Sequence, residues 1–191
     1  MLEKLPESVG HVLKGVRPGL EKIVANKPEI VDAPSTILLE SPAFADGGVL
    51  PERYTEDGAK ISPPLKWSAV PPEAVALLLV IEDADSPTPV PLMHTIVLEL
   101  PAADGELAEG ALKSEGAPGE GRPMGRNSFM KSQYLPPDPP PGHGPHRYVF
   151  QIYALDRHLE LAEGAGKEDV VLGLQDAVMA KGLLVGTYER P

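Results

Sequence analysis

Arg147-Tyr148-Val149-Phe150-Gln151-Ile152-Tyr153-Ala154-Leu155 is the stretch that decides the fold. Aromatic and β-branched residues dominate it, a composition that suits a pleated, packed surface better than a helix. It predicts a strand, and other extended segments are read outward from it. Val75 to Glu82 is a nearly continuous apolar run bounded by Pro71-Pro72 and by the turn-rich Asp83 to Pro91, as expected of a strand buried on both faces. Thr95 to Leu100 predicts a second apolar strand. Shorter ones are expected at Thr36 to Glu40, at Ser62 to Trp67, where prolines favour extended backbone, and at Leu183 to Tyr188. Residues 167–181 return to helical spacing through Val170, Val171, Leu174, Ala177 and Val178, with Gly182 as terminator. Many strands with one late helix predict a mostly β protein, an antiparallel sandwich or sheet, not alternating α/β.

Composition narrows the class. The chain has 191 residues, room for one compact core. Its 23 prolines and 19 glycines interrupt helices and ladders, which excludes an all-helical bundle and predicts short strands with elaborate loops. Ten residues from Pro136 to Pro145 hold six of those prolines, and residues 101–145 read as one long irregular connection. There is no cysteine, so disulfides, thiolate metal sites and cysteine nucleophiles are excluded. A net charge of −11 opposes nucleic-acid or anionic-membrane binding. No apolar run is long enough to span a bilayer, and the start lacks a secretory signal pattern. A soluble, cytoplasmic protein without integral membrane association or cofactor is expected.

The first 30 residues differ from the rest. Leu2, Leu5, Val9, Val12, Leu13, Val16, Leu20, Ile23 and Val24 recur at three- and four-residue spacing, an amphipathic helical stripe that Pro18 should kink or divide. Residues 1–30 are therefore read as a helical extension to a β domain over 31–191. The stripe can lie on the main domain, pair with a second copy in a homodimer, or touch a membrane interface.

If strands 75–82 and 95–100 pair antiparallel, the end of the first meets the start of the second, bringing Asp83, Asp85 and His94 together. Pro87 lies on the rim, and His146 joins them if its strand runs parallel to 95–100. Aspartates at strand ends also shape turns through their own backbone. His143 reads as a solvent-exposed loop residue, Arg147 as an ion-pair lock for Asp85, and Trp67, Phe150 and Tyr153 as core. Arg122 to Ser132 is a basic island in an acidic chain, read as a solvated loop or a partner contact.

Asp83-Ala84-Asp85-Ser86-Pro87, His94, and Gly142-His143-Gly144-Pro145-His146-Arg147-Tyr148 resemble the two signature regions of the phosphatidylethanolamine-binding protein family, in its bacterial Raf-kinase-inhibitor-like branch. Asp46-Gly47-Gly48, Ser62-Pro63-Pro64-Leu65-Lys66-Trp67 and Gly186-Thr187-Tyr188 follow in the family's order, so the resemblance covers about residues 36–190. It implies an antiparallel β-sandwich with a C-terminal helix and a small anion pocket at one end. The pocket would use Asp83, His94 and His146, with Tyr148, Asp85 and Pro87 nearby and Asp83 orienting a histidine. Thr95 stands where the family usually has tryptophan, and Pro136, which has no N–H, where relatives commonly have glycine. Asp138 would add a negative charge at the rim.

The expected function is non-enzymatic capture of a small anionic ligand, phosphate, carboxylate or phospholipid headgroup, with regulation of a kinase or protease as the family name suggests. The alternative is a hydrolase in which Asp83 and a histidine act as an acid–base pair, weakened by the lack of an evident nucleophile. A third reading gives the same histidines and carboxylates to zinc.

Overall fold

The computed structural model describes residues 6–162 and 164–190; Leu2 and Leu5 of the N-terminal stripe lie outside them. Among the described residues, eight strands form two sheets. β1 (Leu38–Glu40), β3 (Leu65–Ser68) and β6 (Gly105–Leu107) make a three-stranded sheet in the order β1-β3-β6. β2 (Gly48–Val49), β4 (Ala76–Asp83), β5 (Leu92–Leu100), β7 (His146–Leu155) and β8 (Val178–Tyr188) make a five-stranded one in the order β2-β8-β7-β4-β5. All pairs are antiparallel except β2 with β8, which departs from the purely antiparallel expectation. The fold is a mostly β sandwich.

β4 is buried along its whole length, as its apolar run demands. Leu77, Leu79 and Ile81 face the smaller sheet and pack with Leu39, Trp67, Phe150 and Ile152. Leu78 and Val80 point the other way, into a second core completed by Ile23, Val24, Ile30 and Val170. That second layer comes from α2 (Lys167–Leu174) and from the N-terminal segment. Trp67, Phe150 and Tyr153 are core, as expected.

The amphipathic stripe does not become a long helix. α1 spans only Glu7–Leu13, and after Pro18 the chain makes two 3-10 turns, Leu20–Lys22 and Val24–Asn26. Ile23, Val24, Ala25 and Ile30 are buried against the five-stranded sheet. Their backbone is satisfied by polar side chains that the strands turn toward them. Val24 N–H donates to Glu82 at 2.7 Å and Ala25 N–H to Gln151 at 2.8 Å. Lys181 Nζ donates to the carbonyls of Ala25, Ile30 and Val31. Glu82 is completed by Gln151 Nε2 at 2.9 Å and Lys167 Nζ at 2.6 Å. A buried polar group without such partners is costly, so the strand side chains and the arm require each other.

Two further expectations are corrected. The late helix ends at Leu174 rather than 181, and Val178–Tyr188 is a single strand in which Gly182 lies mid-ladder opposite Ile152. Residues 101–145 are not wholly irregular, since β6 and a bridge between Val97 and Met124 lie within them.

Candidate functional site

β5 and β7 both pair antiparallel with β4, so they run in the same direction and their starts share one sheet edge with the end of β4. The register sets Asp83 opposite Leu92 on one side and Tyr148 on the other. An irregularity between Ile81 and Glu82 in the β4–β5 ladder accompanies the arrival of His94 at that edge. Asp83, His94 and His146 are thereby gathered, with Tyr148 beside them.

A cavity of about 570 Å³ opens there. Asp83, His94, Pro87, Pro136 and Asp138 are in its wall, whereas His146 and Tyr148 stand behind it. Asp83 is fully engaged. Its Oδ1 accepts from Asp85 N–H at 2.8 Å, and its Oδ2 meets His146 Nδ1 at 2.7 Å. That contact fixes the position of the His146 ring relative to the end of β4. Asp85 lies outside the cavity wall and takes a forked pair of 2.7 Å bonds from Arg147, plus the Arg147 backbone N–H. Burial pushes the Asp85 carboxyl up, but these bonds outweigh it and hold it below the usual range. Arg147 thereby ties the Asp83–Ser86 turn to the start of β7. Asp138 is held by Arg190 at 2.9 Å, and Arg190 also bonds Asp57 and the Pro139 carbonyl, bracing the proline-rich loop.

His94 is the group without an evident structural task at its far end. Its Nδ1 bonds the Leu135 carbonyl at 2.7 Å, and because a carbonyl only accepts, that nitrogen carries the proton. Nε2 is buried and has no protein partner. The Tyr148 hydroxyl is likewise unpartnered, and its ring meets His94 edge-on with centroids 5.2 Å apart. Burial lowers the His94 pKa, with the Asp83 charge opposing, and raises that of Tyr148, so both are neutral near pH 7. A neutral imidazole in the cavity wall is thus left with a buried, unpartnered lone pair on Nε2.

Sequence reasoning missed several contributors, among them Glu56 and Glu115 in the cavity wall. His143, expected in solvent, is fully buried: its Nδ1 meets His146 Nε2 at 2.6 Å and its Nε2 meets the Leu13 carbonyl at 2.9 Å. Leu13 of α1 also forms part of the cavity wall. The basic island supplies Phe129 and Lys131 to the wall, in a loop shaped by Asn127, whose Oδ1 accepts from the N–H groups of both. The Ser86 hydroxyl is shared between Thr88 Oγ1 at 2.6 Å and the Asp83 carbonyl, so it is not paired with a histidine as an activated nucleophile would be. Among the described residues no group of three or more His, Asp or Glu side chains is arranged to hold a metal ion, and no helix is long and apolar enough to cross a membrane.

The part of the chain that forms the sandwich is similar to known proteins. A family model described as phosphatidylethanolamine-binding protein matches residues 40–189. A UPF0098 protein of Methanothermobacter thermautotrophicus is 40% identical over 152 residues, covering 80% of this chain and 98% of its own. A crystal structure of a phosphatidylethanolamine-binding protein homologue from Chlamydia trachomatis superposes with a TM-score of 0.73 at 37% identity, covering 82% of this chain and 99% of that one. E. coli YbcL superposes with a TM-score of 0.74 at 25% identity, covering 82% of this chain and all of that one.

Proposed function

The chain belongs to the phosphatidylethanolamine-binding protein family, and from that premise we propose that it binds a small acidic group, a phosphate or carboxylate on a free metabolite or a lipid headgroup, without turning it over. The family is described by what it binds and not by a reaction. One observation carries the choice of site: His94 Nε2, buried in the cavity wall with no partner. An unsatisfied buried nitrogen costs free energy that a ligand recovers. Asp83 serves by holding His146, and Pro87, Pro136 and Asp138 shape the rim. The occupancy of a cytoplasmic kinase- or protease-regulating module follows the family resemblance and is part of the same reading.

The tautomer of His94 adds a condition. With Nδ1–H committed to Leu135, Nε2 accepts a hydrogen bond or takes up a proton, so the acidic group binds together with one proton. A phosphate monoester gives up its second proton at about pH 6, and a neutral His94 gains one on acidification, so affinity should rise as pH falls from 8 to 6.

The test is a titration with inorganic phosphate, acetate and phosphorylethanolamine, following the imidazole nitrogen resonances of His94 and His146. A His94 shift on saturation is expected, tighter at pH 6 than at pH 8. His94→Ala should weaken binding about 10- to 100-fold, the loss of one hydrogen bond to a charged group. A stronger response to phosphorylethanolamine than to phosphate identifies a headgroup. Histidine signals that ignore all three probes would sink the reading.

A further inference from the structure

We propose that the N-terminal segment 6–17 is a built-in effector of the cavity, whose docking sets the direction of a hydrogen-bond chain running from Leu13 through His143 and His146 to Asp83. The proposal rests on the cavity reading above and adds the element that controls it. The family model begins at residue 40, so this segment is outside the matched domain.

The acceptors at the two ends of the chain fix where its protons lie. Leu13 carbonyl accepts only, so His143 Nε2 must carry its proton while α1 is docked. Burial lowers the His143 pKa, as does His146, which keeps the ring neutral and makes its Nδ1 an acceptor. His146 must then donate from Nε2 across the 2.6 Å contact. One more proton is required between His146 Nδ1 and Asp83 Oδ2, 2.7 Å apart, and wherever it sits the His146–Asp83 unit has no net charge. With α1 undocked, His143 is free to adopt the opposite tautomer and donate from Nδ1. His146 then accepts at Nε2 and donates from Nδ1 to the Asp83 carboxylate. That arrangement holds one proton fewer, released to solvent, and the unit carries a full negative charge at the cavity wall.

Docking therefore removes a negative charge from the place where an acidic ligand binds. By linkage, the ligand must favour docking as strongly as docking favours the ligand.

The segment is held for this purpose by few contacts. Gly10 packs so closely that an added Cβ would lie 1.9 Å from the Pro141 carbonyl oxygen. Arg17 bonds the carbonyls of His143 and Pro145 and reaches Asp85 Oδ1 at 3.4 Å. The charged and titratable groups around the chain are Arg17, Asp85, Arg147 and Glu21, with His94 and Tyr148 beside His146 and Asp83, Glu7 and His11 across Gly142, and Lys14 and Glu189 across Gly144. Arg17 moves with the segment, so its loss on undocking also withdraws a positive charge from the site.

The experiment is a phosphate titration of the full chain and of Gly10→Ala, with histidine nitrogen spectra and amide exchange over residues 7–17. Gly10 is not in the cavity wall; a methyl there would press on the Pro141 carbonyl and come within 3.0 Å of the His143 backbone nitrogen, and should lift α1. The variant should expose amides 7–17, switch His143 from the Nε2–H to the Nδ1–H tautomer, and weaken phosphate about tenfold, a typical coupling between two sites. In the parent chain, saturating phosphate should slow exchange over 7–17 by a similar factor. Phosphate that shifts His94 equally in both proteins and leaves exchange over 7–17 unchanged overturns the coupling while the cavity reading stands. Phosphate that leaves parent His94 unmoved overturns both. If Gly10→Ala leaves exchange as in the parent, the phosphate-induced protection of the parent decides alone.

Discussion

His94 and His143 are kept uncharged by burial, and this has a thermodynamic consequence that does not depend on any ligand. Each has a folded-state pKa below the roughly 6.5 of the unfolded chain, so the unfolded state takes up protons first as pH falls. Their contribution to stability is intact above about pH 6.5 and is lost below it, down to the folded pKa. Urea denaturation at pH 7, 6 and 5 should show stability falling below about pH 6.5, with a limiting slope of about 1.4 kcal/mol per pH unit per histidine, and His94→Asn should make the fall shallower. An unchanged slope in the variant would show that His94 is not held neutral. Asp83, Asp85, His94, His146 and Arg147 were legible from sequence because they sit at strand ends, where antiparallel pairing dictates their neighbours. His143 was not, because its burial is created by Leu13, some 130 positions away, and a histidine between two glycines carries no local mark of that.

Among the elements, β4 and β7 were readable because an apolar or β-branched run longer than a turn has few other uses. β8 was not. Its first residues continue the apolar spacing of α2, and the glycine that looked like a helix terminator is instead a point of close approach. A Cβ at Gly182 would lie 2.5 Å from the Ile37 carbonyl oxygen, and Lys181, its neighbour, exchanges backbone bonds with the segment 34–37. The contact is tertiary, so local pattern does not report it. Gly182→Ala should cost about 1–3 kcal/mol, the usual range for overpacking against fixed backbone, with the loss read as an earlier urea midpoint at unchanged slope. A variant as stable as the parent would mean that the 34–37 segment yields. The split of the N-terminal stripe into α1 and two 3-10 turns has a similar origin: Pro18 stops the helix, and beyond it the side chains and backbone of 23–31 are claimed by the five-stranded sheet.

At the scale of the molecule, the sandwich has two cores, one between the sheets and one under the arm and α2. The resemblance foretold the first. The second depends on Glu82, Gln151 and Lys181, polar residues inside strands that otherwise read as apolar. Burial lowers the Lys181 pKa, yet its three carbonyl partners hold the ammonium in place. Lys181→Met should cost about 2–4 kcal/mol, since several buried carbonyls lose their donor together. Amide exchange should quicken first over residues 23–33, while β4 and β7 remain protected. Uniform loss of protection across the sheet would instead make the arm inseparable from the sandwich in unfolding.

Those three side chains also work as a record. Glu82, Gln151 and Lys181 lie on β4, β7 and β8, well inside the domain, yet the backbone they serve belongs to residues 24–31. A sequence that preserves this trio in its strands advertises a covering peptide even where its beginning has been truncated or misassigned. One that replaces the trio with aliphatic residues has no such peptide to seat.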